Sequence, residues 1–237
     1  MKNSTEQHWI AANLDHPTEW YTERIDFLRR FMGEERMATL QRALDGRTDY
    51  AAVCLENTFH PQNASAIMRT CEAFGIQNIH TIQEHCRFNP NVNIVRGTDK
   101  WIDMHSYGTT TEALTALKAA GYRIVATSPH AEDRTPDTFD VTSGPFVLVF
   151  GTEQEGISDE VRAAADEFIK IPMQGMVESL NVSVSAAVLL YTLSCRIRKE
   201  VADWQLSPHR SAVTQWKWYM ESVRDSIAIL EKYFEQR

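Results

Sequence analysis

Between residues 18 and 44, apolar side chains recur at helical spacing: Trp20, Ile25, Phe27, Leu28, Phe31, Met37, Leu40 and Leu44, with Gly33 as the break. One or two helices are predicted there. Past Tyr50 the pattern changes. Short apolar runs at 51–56, 76–82, 122–128, 145–150 and 167–173 alternate with helical stretches at 63–74, 109–120, 158–165 and 182–199. That alternation predicts an α/β fold, with a mainly parallel sheet flanked by helices on both faces. The run Phe146–Phe150 is apolar at every position, which predicts a central strand. Residues 182–193 are apolar nearly all round, so that helix must bury most of its surface in the core or against a second subunit. A last segment, rich in Trp216, Trp218, Tyr219, Ile227, Leu230 and Phe234, reads as a C-terminal helix. Three regions follow: a helical N-terminal extension over 1–50, a main domain over 51–200 and a C-terminal helical extension over 201–237.

Composition narrows the class. With 237 residues, 43% of them hydrophobic, the chain can build a continuous core. Its four cysteines are scattered, without metal-ligand spacing, as suits a reducing cytoplasm. The N-terminus lacks a basic-then-apolar leader and no apolar run reaches the roughly 20 residues of a membrane span, so a soluble cytoplasmic protein is expected. The net charge of −8 excludes a protein that coats nucleic acid indiscriminately. Local binding stays open, because basic residues gather at Arg24, Arg29, Arg30, Arg36, Arg42 and Arg47 and again at Arg196, Arg198, Lys199 and Arg210. Interleaved acids such as Asp26, Glu34 and Glu200 also fit plain solvated helix faces.

In open parallel sheets ligands bind at the carboxyl ends of strands, so the loops there carry the chemistry. After the apolar strand comes GTEQEGIS, with Gly151, Glu153, Gly156 and Ser158 as a helix N-cap. It is neither a dinucleotide fingerprint nor a phosphate-binding P-loop, and alone it reads better as an ordinary strand-to-helix turn. IPMQGMVESLN places a glycine, then Ser179 and Asn181, at the entrance of the apolar helix, where both side chains could simply cap it. In PQNASAIMRTCEAFG, Asn63 is a plausible N-cap, Ala66, Ile67, Cys71 and Phe74 form the buried stripe, and Arg69 falls off it.

Together the three segments resemble, in order and spacing, the three motifs of the SpoU/TrmH family of the SPOUT methyltransferase superfamily. The first motif is matched by Asn63, Ala66, Ile67 and Arg69 and by Glu72 to Gly75, the second by Gly151, Glu153 and Gly156, the third by residues 171–183. The resemblance covers about residues 51–200. It implies a deep C-terminal trefoil knot, and S-adenosylmethionine held by backbone groups around Thr127, Gly151, Ile171 and Leu180. It also implies methyl transfer to a ribose 2'-hydroxyl of RNA by a homodimer, with Arg69, Asn63, Glu153, Ser179 and Asn181 as the catalytic set. An arginine pKa above about 12 leaves almost no neutral form, so Arg69 is expected to orient the 2'-oxygen and stabilise the developing alkoxide. Many rRNA-directed members carry a compact α/β domain before the catalytic core, whereas the helical extensions here resemble those of enzymes acting on tRNA guanosine. tRNA is therefore the expected partner, with ribosomal RNA, or an idle RNA-binding assembly factor, as the alternatives.

Overall fold

The structure, a computed structural model, describes residues 4–58, 60–128, 134–152 and 155–234. By contacts the chain divides into two compact units, residues 47–205 and a second one made of the segments up to Gly46 and from Leu206 on.

The 47–205 unit is built on six strands: β1 (Ala51–Glu56), β2 (Asn78–Ile82), β3 (Asp103–Tyr107), β4 (Arg123–Thr127), β5 (Phe146–Phe150) and β6 (Glu167–Ile169). Their order is β3-β2-β1-β5-β4-β6 and every pairing is parallel. β5 lies between β1 and β4, and all five of its residues are buried, as its unbroken apolar run predicts.

Alternate residues of β1 feed opposite layers. Ala51, Val53 and Leu55 join a core with Ile67, Met68 and Cys71 of helix α4 (Pro61–Ala73) and Leu189, Leu190 and Leu193 of α8 (Val182–Glu200). Ala52 and Cys54 join one with Ala113, Leu114 and Leu117 of α6 (Thr110–Ala119) and Val161 of α7 (Asp159–Ala164). The helices therefore cover both faces, and all the strand ends carrying the sequence motifs open on one edge.

Two features depart from the pattern in the sequence. β3 forms at the sheet edge from the polar run Asp103–Tyr107, which no apolar alternation marks, because an edge strand needs little burial. Helix α8 buries Ala186, Leu189, Leu190, Leu193 and Ile197, but Val184, Val188 and Tyr191 are 46%, 37% and 59% exposed. Only half of its apolar circumference is used within this chain.

The other unit is helical: α1 (Ser4–Ala12), α2 (Thr18–Leu28), α3 (Glu34–Asp45), α9 (Pro208–Ser222) and α10 (Ser226–Phe234). Segments from both chain ends share one aromatic core, in which the fully buried Trp216 of α9 packs 5.5 Å from Trp20 and 5.4 Å from Tyr21 of α2. Among the described residues no helix is long and apolar enough to cross a membrane.

Candidate active site

The loop that leaves β5 closes at once on itself. Thr152 N donates to Gly156 O (2.9 Å) and Gly156 N to Thr152 O (3.1 Å). A Cβ on residue 151 would meet Gly156 O at 2.0 Å and Ile157 N at 2.4 Å, so only glycine fits there. Gly156, at φ 72°, makes the reversal. Ser158 then caps α7, its Oγ accepting from Val161 N at 3.2 Å, as its place in the sequence suggests.

The far end of this loop is held by a group that motif reading passes over. Glu56, the last residue of β1 and 2% exposed, accepts from Ser158 N (3.0 Å) and from Thr110 Oγ1 (3.2 Å). Thr110 N donates to Glu84 (3.0 Å), whose carboxylate also shares the one Thr110 hydroxyl proton with Glu56 (Oγ1 at 3.1 Å), and these two contacts hold the Glu84 carboxyl below its usual range. The signal in the sequence was one acid closing the apolar run AAVCLE, since a buried carboxylate persists only where donors satisfy it.

Beside the loop lies a cavity of about 600 Å³. Thr127, Gly151, Ile171 and Leu180, the four positions expected to hold a cofactor, all line it, together with Ser179 and Asn181. Thr127 Oγ1 donates to Val149 O (3.0 Å), which ties the end of β4 to β5. The volume is within the roughly 300–1,000 Å³ of small-molecule sites. Apolar Leu180 and Leu189 line it with Gly151, and so do charges of both signs, Lys170, Arg162, Glu155 and Glu178. Such a lining suits a ligand with an aromatic heterocycle at one end and a zwitterion at the other, which is the chemistry of S-adenosylmethionine.

Asn63 corrects the expectation that it caps α4. The helix begins at Pro61, with His60 at the cap, so Asn63 sits in the first turn and not at the cap. Its Oδ1 accepts from Asn181 Nδ2 at 3.2 Å. Asn181 itself caps α8, its Oδ1 accepting from Ser183 N (2.9 Å) and Ser183 Oγ (2.6 Å). The first and third motifs thus meet at the mouth of the cavity.

Arg69 lies two turns further along α4, exposed and off the buried stripe, and does not line the cavity. Its Nη1 donates to Ile94 O at 3.4 Å. Glu153, the remaining expected catalytic residue, lies outside the described residues. The free thiols of Cys54 and Cys71 are buried, which pushes their pKa values up and removes them as nucleophiles.

Comparison with known proteins places the chain in a family. The sequence profile of the SpoU rRNA Methylase family matches residues 50–191. A tRNA (guanosine(18)-2'-O)-methyltransferase of Borreliella burgdorferi is 34% identical over 203 residues, covering 86% of this chain and 93% of that protein. The crystal structure of the A. aeolicus TrmH/SpoU tRNA modifying enzyme superposes with a TM-score of 0.70 at 31% identity, covering 81% of this chain and 98% of that one. An AdoMet-bound rRNA methyltransferase from Sinorhizobium meliloti superposes with a TM-score of 0.56 at 26% identity, covering 68% of this chain and 60% of its own. With its family profile, its strand order and its three motif segments gathered at one edge of the sheet, this chain belongs to the SpoU rRNA Methylase family.

Proposed function

We propose that this protein methylates the ribose 2'-hydroxyl of a guanosine in tRNA, using S-adenosylmethionine, and that it acts as a cytoplasmic homodimer. The observation that carries the reading is the Asn181–Asn63 bond, which joins helix α4 to the cavity lined by Thr127, Gly151, Ile171 and Leu180. When bound, the cofactor supplies an electrophilic methyl group on a sulfonium.

The chain's own residues must bring a sugar oxygen to that group and manage its proton. Asn63, Ser179 and Asn181 offer amide and hydroxyl groups to the ribose at the cavity mouth. Arg69 follows Asn63 by six residues, about 9 Å along the helix at 1.5 Å per residue, and its guanidinium can fork across a phosphate and the developing alkoxide. The guanidinium stabilises the developing oxyanion, and the 2'-proton leaves to a substrate phosphate, to water or to a transiently neutral Arg69. Glu153 belongs to the same set by its place in the second motif.

Val184, Val188 and Tyr191 recur on one open face of α8, the helix whose first turn Asn181 caps. Pairing of that face with its copy about a two-fold axis covers the stripe and sets two cavities near the seam. The same reading carries the C-terminal trefoil knot. tRNA is favoured by the relatives named above and by the helical unit, which has the place of the extensions in tRNA-directed members.

The test is transfer of labelled methyl from S-adenosylmethionine to purified tRNA and to ribosomal RNA, followed by nucleoside analysis. Labelled 2'-O-methylguanosine from tRNA is expected. Label confined to ribosomal RNA, or to a base rather than a ribose, overturns the assignment.

A further inference from the structure

The segment between β2 and β3 runs alongside α4 and is pinned to it. His85 N donates to Asn57 Oδ1 (2.9 Å) at the end of β1, Asn91 N donates to the buried Ser65 Oγ (2.7 Å), and Ile94 O accepts from Arg69 Nη1 (3.4 Å). A short helix, α5 (Val92–Val95), forms within it. The first attachment ties the start of the segment to the end of β1, and the other two hold it along the same helix that carries Asn63 and Arg69.

Its charge differs from that of the whole protein. In a chain with 32 acidic residues and a net charge of −8, residues 85–98 contain none, while Arg87 and Arg96 are both present and exposed. Three other arginines of this unit are paired with acids: Arg47 with Glu72, Arg123 with Glu167, Arg196 with Glu200. Among the described residues neither Arg87 nor Arg96 makes an ion pair or a side-chain hydrogen bond. Arg96 also adopts the left-handed conformation, at φ 49° and ψ 35°, and is followed by Gly97 at φ 82°. For a residue with a Cβ that conformation costs on the order of 1 kcal/mol, and such outliers concentrate at functional sites.

From this placement we infer that the 85–97 segment is an RNA-backbone clamp, in which Arg87 and Arg96 hold phosphates flanking the nucleotide presented to Arg69. The inference rests on the proposed RNA substrate. Phosphate contacts fix register without reading sequence, so the clamp positions a ribose and leaves the choice of base to other surfaces. An acidic protein needs such a local cationic strip, since its overall field repels the ligand.

The test compares wild type with Arg87→Gln, Arg96→Gly and the double variant. Glycine at 96 removes the charge and relieves the left-handed backbone, so folding is not put at risk. Binding of unmodified tRNA is measured by filter retention across a salt series, and binding of S-adenosylmethionine by calorimetry. Each neutralised phosphate contact should lower the slope of log affinity against log salt by about 0.7–0.9. The double variant should bind RNA at least tenfold more weakly at low salt, with its cofactor affinity and unfolding midpoint as in wild type. Arg96→Lys should keep the wild-type slope. RNA affinity and slope unchanged in the double variant would overturn the clamp. Failure of the wild-type enzyme to label any RNA is a separate result, which removes the functional reading and not merely this segment's part in it.

Discussion

Asn181 Nδ2 donates to Asn63 Oδ1 across 3.2 Å, linking residues 118 positions apart in sequence. The same Asn181 side chain caps α8 through its oxygen. One amide therefore does two separable jobs, starting a core helix with its carbonyl and joining the first motif to the third with its amino group.

The two jobs separate in Asn181→Ser and Asn181→Ala. Serine caps a helix about as well as asparagine but is too short to reach Asn63. Its stability should stay within about 0.5 kcal/mol of wild type, whereas alanine, which loses the cap, should cost on the order of 1 kcal/mol. Both should lower methyl transfer at least tenfold. Urea unfolding with a labelled-methyl assay checks this, and a serine variant with full activity would remove the Asn181–Asn63 bond from the chemistry.

How far the chain discloses itself depends on burial. β1 and β5 are covered on both sides and show as unbroken apolar runs, and the glycine and hydroxyl punctuation after β5 marks a ligand loop. β3 is invisible because an edge strand can keep His105 and Ser106 in solvent. Asn63 resembled a cap because it stands just inside a helix start, and only the position of Pro61 shows that His60 holds that place. Glu56 could not be assigned before its donors, Thr110 and Ser158, arrived from distant segments. Nor does any local pattern in α2 tell Trp20 that it will meet Trp216.

Gly151 and Gly175 make a second comparison. An alanine Cβ at 151 would lie 2.0 Å from Gly156 O, inside the loop's own backbone, so Gly151→Ala must open the Thr152–Gly156 pairing. Around Gly175 nothing lies within 4 Å of an added Cβ, and its φ is not left-handed, so Gly175→Ala should fold unchanged. Calorimetry with S-adenosylmethionine should show at least a tenfold loss for Gly151→Ala. Wild-type affinity in that variant would mean that the loop does not shape the cofactor site.

Val188 is the middle of the open stripe on α8, and a charge there is tolerated by a monomer but not by a self-complementary seam. In the proposed dimer, Val188→Arg would set a new charge from each protomer against the partner's apolar face. The variant should sediment as a monomer with its circular dichroism spectrum intact, and should lose most of its methyl transfer. A variant that remains a dimer by analytical ultracentrifugation would place the interface elsewhere.

His80 predicts how stability responds to acid. It is buried on β2, its ring stacked 4.7 Å from that of His105, with Nδ1 3.1 Å from Tyr107 Oη and Nε2 without a hydrogen-bond partner among the described residues. Burial foremost, and then the neighbouring His105 ring, pulls its pKa down to about 3. In the unfolded chain a histidine titrates near 6.5. Between those values the unfolded state binds the proton and the folded state refuses it, so stability is complete above about pH 6.5 and drains away as pH falls toward 3. The slope from this one group reaches at most about 1.4 kcal/mol per pH unit. His80→Phe keeps an aromatic ring on β2 and removes the proton, and the half-exposed Tyr107 hydroxyl can turn to water. Urea midpoints measured from pH 7 to pH 4 should therefore fall less steeply in the variant, the gap widening with acidity. Parallel curves would show that His80 takes up its proton in the folded protein as readily as in the unfolded chain, and that this edge of the sheet opens to water before the rest of it unfolds.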